Sequence, residues 1–309
     1  MRTLPALLTV AVVLPALAAC SAQPDACELP SGDASSVVTA EGAFGSAPEI
    51  DMPTPVITQE SQASVLVEGE GDLLAPGQPA LVQLSLLNGG TGELLQDTYQ
   101  DAPILQVAGT ETLPPVGAAL ECAREGSRIV AVGSPQATHG GEAIPELGVA
   151  ADDSFVFVID VLQTFLPKAD GVTRAGNNGD PAVALAPNGR PGITVPNTEA
   201  PEDAVISVLK EGDGAELEEG DQAVLHYTGI TWAEEEVFDS SWEAGAPRIF
   251  DLSEGSLIEG FYDGIVGQKV GSQVLLVIPP ELGYGDQASA SIPAGSTLIF
   301  VVDILGIVE

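Results

Sequence analysis

The amino-acid sequence predicts two tandem α+β domains, each an antiparallel sheet packed around one short helix. Three observations lead there. The first is an internal repeat. Leu66-Val67-Glu68-Gly69-Glu70-Gly71 returns as Leu209-Lys210-Glu211-Gly212-Asp213-Gly214, and Phe157-Val158-Ile159-Asp160-Val161-Leu162 returns as Phe300-Val301-Val302-Asp303-Ile304-Leu305, both 143 positions later. A displacement that holds at both ends marks a duplication, with copies from about 60 to 165 and from about 203 to 309. The second is a strand pattern: Ala223 to Tyr227, Ser272 to Ile278 and Thr297 to Ile307 are rich in Val, Ile and Leu and bounded by Gly or Pro. The third lies between them, where Gly260 to Gly267 sets Phe261 and Ile265 four apart, enough for a short helix with one apolar face. Strands surrounding one short helix make an α+β unit.

Along the chain, residues 1–19 read as a signal peptide, 20–36 as a tether, 37–165 as the first domain, 166–202 as a linker and 203–309 as the second domain. The tether assignment rests on Ala, Ser, Gly, Pro and Asp. Val37 to Ile57 carries enough apolar alternation for a strand joined to domain one. The linker holds Gly176-Asn177-Asn178-Gly179-Asp180-Pro181 and further prolines, a composition expected to be flexible.

Nine Lys and Arg stand against 45 Asp and Glu in 309 residues, a formal charge of −36. Such a surface repels phosphate backbones, which excludes nucleic acid as a partner and favours basic or neutral ones. A hydrophobic fraction of 45% excludes a disordered chain.

At the N-terminus, Arg2 precedes an apolar run from Leu7 to Ala16 that is too short to span a bilayer. Leu17-Ala18-Ala19-Cys20 follows and resembles a bacterial lipobox. The resemblance implies cleavage before Cys20, lipidation of its thiol and an extracytoplasmic protein anchored to the membrane by that lipid. Cys27 and Cys122 then remain, and an even remainder in an oxidising compartment is expected to form one disulfide. Neither these thiols nor the distant His139 and His226 offer the spacing of a metal site.

The second copy carries His226-Tyr227-Thr228-Gly229, Val237-Phe238-Asp239-Ser240-Ser241, Leu257-Ile258-Glu259-Gly260-Phe261, Pro279-Pro280-Glu281-Leu282-Gly283-Tyr284-Gly285, Ile292-Pro293-Ala294 and Leu298-Ile299-Phe300-Val301-Val302-Asp303 in that order. In these motifs it resembles the FKBP-type peptidyl-prolyl cis-trans isomerases over about 105 residues. The resemblance implies a half-open antiparallel sheet wrapped around a short helix, with a shallow apolar pocket between them. It also implies an isomerase of proline-containing peptides, with no cofactor and no metal, that assists the folding of exported proteins and binds a macrolide ligand. Tyr227, Phe238, Asp239 and Tyr284 are then expected in catalytic roles, and Phe250, Leu257, Ile258, Phe261, Ile292 and Phe300 in the substrate pocket. Asp239 is expected to organise Tyr227; the Ile258 N–H and the Tyr284 hydroxyl are expected to bond substrate carbonyls.

Composition points to a pocket independently, since nine of the 14 aromatics lie between Tyr227 and Phe300. Departures from the family pattern are Phe261 where Trp is usual, Arg248 where a second aromatic often stands, and a shortened loop from Tyr284 to Ile292 with Ser291 in it. The first copy lacks the site: Leu84 replaces Tyr227, no Phe-Asp pair occurs near Gln96-Asp97-Thr98, and His139-Gly140 replaces Tyr284-Gly285. It reads as a degenerate copy of the fold, a spacer or client-binding surface. The rival readings are a non-catalytic proline-binding chaperone and a spacer lipoprotein.

Overall fold

The computed structural model describes residues 31–109, 113–289 and 291–309. Cys20, Cys27 and the rest of residues 1–30 lie outside the described residues. In order, the elements are α1 (Asp33–Ser36), β1 (Thr39–Glu41), β2 (Glu49–Asp51), β3 (Gln62–Val67), β4 (Pro79–Asn88), β5 (Leu94–Asp97), β6 (Ile104–Val107), α2 (Pro114–Leu120), β7 (Arg128–Gly133), α3 (Pro135–His139) and β8 (Phe155–Thr164). They continue with β9 (Val172–Thr173), β10 (Ala182–Leu185), β11 (Pro191–Thr194), β12 (Val205–Glu211), β13 (Gln222–Thr231), β14 (Val237–Ser240), α4 (Ser241–Ala244), β15 (Arg248–Asp251), α5 (Glu259–Ile265), β16 (Gln273–Ile278) and β17 (Leu298–Ile307).

Two antiparallel sheets share one topology. The first runs β3-β7-β8-β4-β5 with β6 also on β4; the second runs β12-β16-β17-β13-β14 with β15 also on β13, and adds β9 outside β12. The registers repeat with the sequence displacement, since Leu84 faces Ile159 as Tyr227 faces Val302. On the inner face of each sheet lies a helix of seven residues, α2 or α5. Around α5 the inner core is Leu225, Tyr227, Phe261, Ile265, Leu276 and Phe300, all buried.

Each outer face is covered by a hairpin: the first lies within Val37 to Ile57, expected as a strand joined to domain one, and the second lies where a linker was expected. Residues 166–202, expected to be a flexible linker, carry β9, β10 and β11. In the β10–β11 hairpin Ala182 pairs with Thr194 and Val183 with Ile193; in the β1–β2 hairpin Thr39 pairs with Asp51 and Ala40 with Ile50. These registers again differ by 143 positions. Val183 and Ile193 pack on Ile230, Leu275, Val277, Ile299 and Val301, while Ala40 and Ile50 pack on Leu87, Val130, Val132, Val156 and Val158. Each duplicated unit therefore includes its own hairpin, and the presumed linker is the leading part of the second copy. Composition misleads here because the hairpin is held by docking its apolar residues on the sheet, not by local propensity. Pro191 is tolerated as the first residue of an edge strand.

A shared cluster of Leu81, Phe165, Val224 and Leu305 joins the domains. The Gln163 amide donates to the Ile307 carbonyl at 2.8 Å and accepts the Glu309 N–H at 3.1 Å across the same junction. In domain one, Arg128 and Asp160 form a fully buried pair at 2.6 Å, and the remaining guanidinium protons go to carbonyls of Gly42, Ala43 and Ser46 at the hairpin tip. Cys122 is buried and disulfide-bonded.

Truncating Phe165 would empty the centre of the junction. Phe165→Ala is expected to cost about 3–5 kcal/mol, the range for a buried Phe. Calorimetry should then show one melting transition resolve into two as the domains uncouple.

Candidate active site

The inner face of the second sheet is longer than α5, and the uncovered remainder is a cavity of about 590 Å³. The strands aim its walls: β13 supplies Tyr227, β14 Phe238 and Asp239, β15 Phe250, and β17 Phe300, while α5 supplies Phe261 as the floor. Leu257, Ile258, Tyr284 and Ile292 complete the lining. All ten residues expected at the site from the sequence are thus brought together. Ser256, Ser289 and Ser291 also line it; short polar side chains on loops give no sequence signal for such a position.

The aromatic rings interlock edge to face. Phe300 meets Phe238 at 5.4 Å with an 83° interplanar angle and Phe261 at 5.1 Å with 79°; Tyr227 meets Phe250 at 5.4 Å with 77°. These are the favoured quadrupole geometries, each worth about 0.5–1.5 kcal/mol beyond area burial, and they fix the cavity shape without a ligand. Gly229 makes the packing possible: a methyl group there would stand 2.5 Å from Phe238 Cζ and 2.8 Å from Phe300 Cε1.

Two polar groups line the wall as a pair. The Tyr227 hydroxyl donates to Asp239 Oδ2 at 2.6 Å. Arg248 closes on the same carboxylate from outside, with both terminal nitrogens 3.3 Å from its oxygens, and its guanidinium lies 5.7 Å from the Tyr227 ring centroid. The residue that departs from the family pattern thus braces the Tyr227–Asp239 pair from beside the mouth. Exposed pairs of this kind contribute at most about 1 kcal/mol, so its effect is orientation more than stability. Burial, and then the Asp239 carboxylate, push the Tyr227 phenol above its ordinary value, so it stays a donor.

At the cavity mouth Tyr284 is 48% exposed. Ile258 is the N-cap of α5 with extended backbone (φ −63°, ψ 141°), so its own N–H precedes the intrahelical bonds.

Comparison with known proteins identifies the family. The family model described as "FKBP-type peptidyl-prolyl cis-trans isomerase" matches residues 214–305. A probable FK506-binding protein of Corynebacterium glutamicum is 42% identical over 116 residues, spanning 38% of this chain and 97% of that protein. The chain belongs to the FKBP-type peptidyl-prolyl cis-trans isomerases. An FK506-binding protein of Streptomyces anulatus is 38% identical over 120 residues, again 38% of this chain and 97% of its own length. The crystal structure of FkpA from Escherichia coli aligns at 30% identity over 42% of this chain and 52% of that one, with a TM-score of 0.32.

Within this FKBP frame, domain one keeps the scaffold and lacks the site. Leu84, Leu95, Gln96 and Gln106 hold the register positions of Tyr227, Phe238, Asp239 and Phe250. The bond from the Tyr227 N–H to Ser241 Oγ at 2.8 Å persists as Leu84 N–H to Thr98 Oγ1 at 2.8 Å. His139 is not poised for chemistry, because its ring nitrogens lie 2.6 and 2.9 Å from the carbonyls of Glu142 and Asp153. It fastens a loop.

Behind the FKBP site, His226 is buried and stacked on Trp242, with ring centroids 3.8 Å apart. Burial holds its imidazole down at about 4, against an ordinary 6.5. Between those values an unfolded chain takes up a proton that the folded one refuses, so stability falls as pH drops through the window and is full above it. The slope is expected to reach ~1.4 kcal/mol per pH unit. Urea midpoints of the chain at pH 7 and pH 5 measure it, and His226→Gln should flatten the difference.

Proposed function

We propose that this isomerase works outside the cytoplasm, held at the membrane by a lipid on Cys20, where it speeds the folding of exported proteins with slow prolyl bonds. The observation that carries the catalytic part is the apolar cavity with the Tyr227–Asp239 pair set in its wall. Rotation about a prolyl bond takes tens to hundreds of seconds uncatalysed, because resonance stiffens the C–N bond. No proton or nucleophile need be exchanged to speed it. The proline ring enters between Phe238, Phe250, Phe261 and Phe300, which removes the amide from water and weakens the charge-separated resonance form. The twisted amide then fits better than either planar isomer, which is the differential binding that catalysis requires.

In this reading Asp239 faces the rotating carbonyl, Tyr227 holds Asp239 in place, and the Ile258 N–H and Tyr284 hydroxyl anchor the substrate carbonyls. Leu257 and Ile292 form the rim. Macrolides of the kind named for the relatives are further ligands of the same cavity. The lipid anchor is supported by Leu17-Ala18-Ala19-Cys20, and the oxidising compartment by the disulfide at Cys122.

NMR exchange spectroscopy on a Leu-Pro or Phe-Pro peptide tests the site. Phe238→Ala and Asp239→Ala should each lower kcat/KM by about tenfold or more, ~1.4 kcal/mol of transition-state stabilisation per decade. Rates equal to wild type would remove these residues from the mechanism. Metabolic labelling with a fatty acid should mark the wild-type chain and leave Cys20→Ser unmarked; an unlabelled wild type would sink the anchor.

A further inference from the structure

Trp242 stands at a junction that the isomerase site does not need for chemistry. Its ring stacks on His226 within 15° of parallel, and its buried Nε1 has no hydrogen-bond partner among the described residues, so packing alone holds it. His226 Nδ1 is 2.8 Å from Ser241 Oγ, and that oxygen accepts the Tyr227 N–H at 2.8 Å. Ser241 directly follows Asp239 and Ser240, and β15 with Arg248 and Phe250 begins after the α4 turn. Trp242 is thus connected to Tyr227 through His226 and Ser241, and to Asp239 through the backbone.

On its other side Trp242 meets the β10–β11 hairpin tip. Gly189 (φ +104°) lies so close that a methyl group there would stand 2.9 Å from Trp242 Cη2. The contact is clasped at both ends: Arg190 pairs with Glu243 at 3.0 Å, and Lys168 Nζ donates to the Pro187 carbonyl at 2.8 Å. A cleft of about 340 Å³ ends on Trp242 and His226, and Pro76, Gly77 and Val107 of domain one form its far wall.

We propose that the hairpin tip is a brace for the isomerase site and that Trp242 is the positioning residue through which it acts. Residues 214–305 matched by the family model are then not the whole working unit, because the brace lies at 187–190. The inner contact recurs in domain one, where Thr98 Oγ1 donates to Gln83 Oε1 at 2.5 Å. In domain two its output is the Tyr227–Asp239 pair. The inference rests on the isomerase reading.

The test uses the full chain and four variants: Trp242→Ala, Trp242→Phe, Gly189→Ala and Val183→Ala. Peptide kcat/KM, peptide affinity, melting temperature and the His226, Tyr227 and Asp239 resonances are read for each. Misplacing a catalytic group by about 1 Å can cost up to ~100-fold, so the partial shifts here should cost about tenfold in Trp242→Ala and about threefold in Gly189→Ala. Affinity should stay nearly constant and the three resonances should move. Trp242→Phe, which keeps a ring on His226, should recover most of the rate. Val183→Ala loosens the hairpin body away from Trp242 and should lower the melting temperature while leaving kcat/KM unchanged. Equal rate losses in Val183→Ala and Gly189→Ala would overturn the brace, as would wild-type rates in both Trp242→Ala and Gly189→Ala. A wild-type chain without turnover would instead overturn the isomerase reading, and the resonance shifts would then decide the brace alone.

Discussion

A sheet has two faces, and a seven-residue helix about 10 Å long covers only part of one of them. This constraint shapes the protein. On the inner face of the second sheet α5 takes the middle, and the strip it leaves is walled by Tyr227, Phe238, Phe250 and Phe300, which is the cavity. The outer face would present Ile230, Leu275, Val277, Ile299 and Val301 to water, and the β10–β11 hairpin lies over it. Burying five such side chains is worth roughly 1.5–3 kcal/mol each. The substrate pocket and the hairpin are answers to the same shortage of cover.

The duplication shows which residues serve the frame and which serve the site. Both copies keep the strand order, the hairpin register and the hydroxyl that takes the N–H of the central strand, Ser241 in one and Thr98 in the other. Both keep an aspartate on the last strand that receives a distant backbone N–H: Asp160 from Gly45 and Asp303 from Ala169. Where the copies differ is the uncovered strip, with Leu84 for Tyr227 and Gln96 for Asp239. Replacing a polar pair by an aliphatic and an amide removes the group that could face a rotating carbonyl while leaving the ladder intact.

The scarcity of cations gives each of them weight. Arg124, Arg128, Lys168, Arg174, Arg190, Lys210 and Arg248 each bind a carbonyl or carboxylate of another segment. In a chain of net charge −36 they act as clasps between strips that would otherwise repel. The buried Arg128–Asp160 pair and the exposed Arg248–Asp239 pair are extremes of the same use, the first fixing a hairpin tip and the second a carboxylate of the site.

What the sequence determined by itself was the local and the repeated: the strands, the short helix near Phe261, the duplication, and the ordered motifs that carry every pocket residue but Phe250. These were legible because strand composition, helical spacing and motif order are properties of neighbouring residues. What only the tertiary structure decided lies between distant ones. Arg248 read as a lost aromatic, and the fold sets it on Asp239; Trp242 carried no signal of its own in the sequence, and the fold stacks it on His226 and packs it against the hairpin tip. Residues 166–202 read as flexible because Gly and Pro weaken local order, yet Val183 and Ile193 found a sheet to dock on. Local propensity cannot register a partner face that exists only once the rest of the chain has folded.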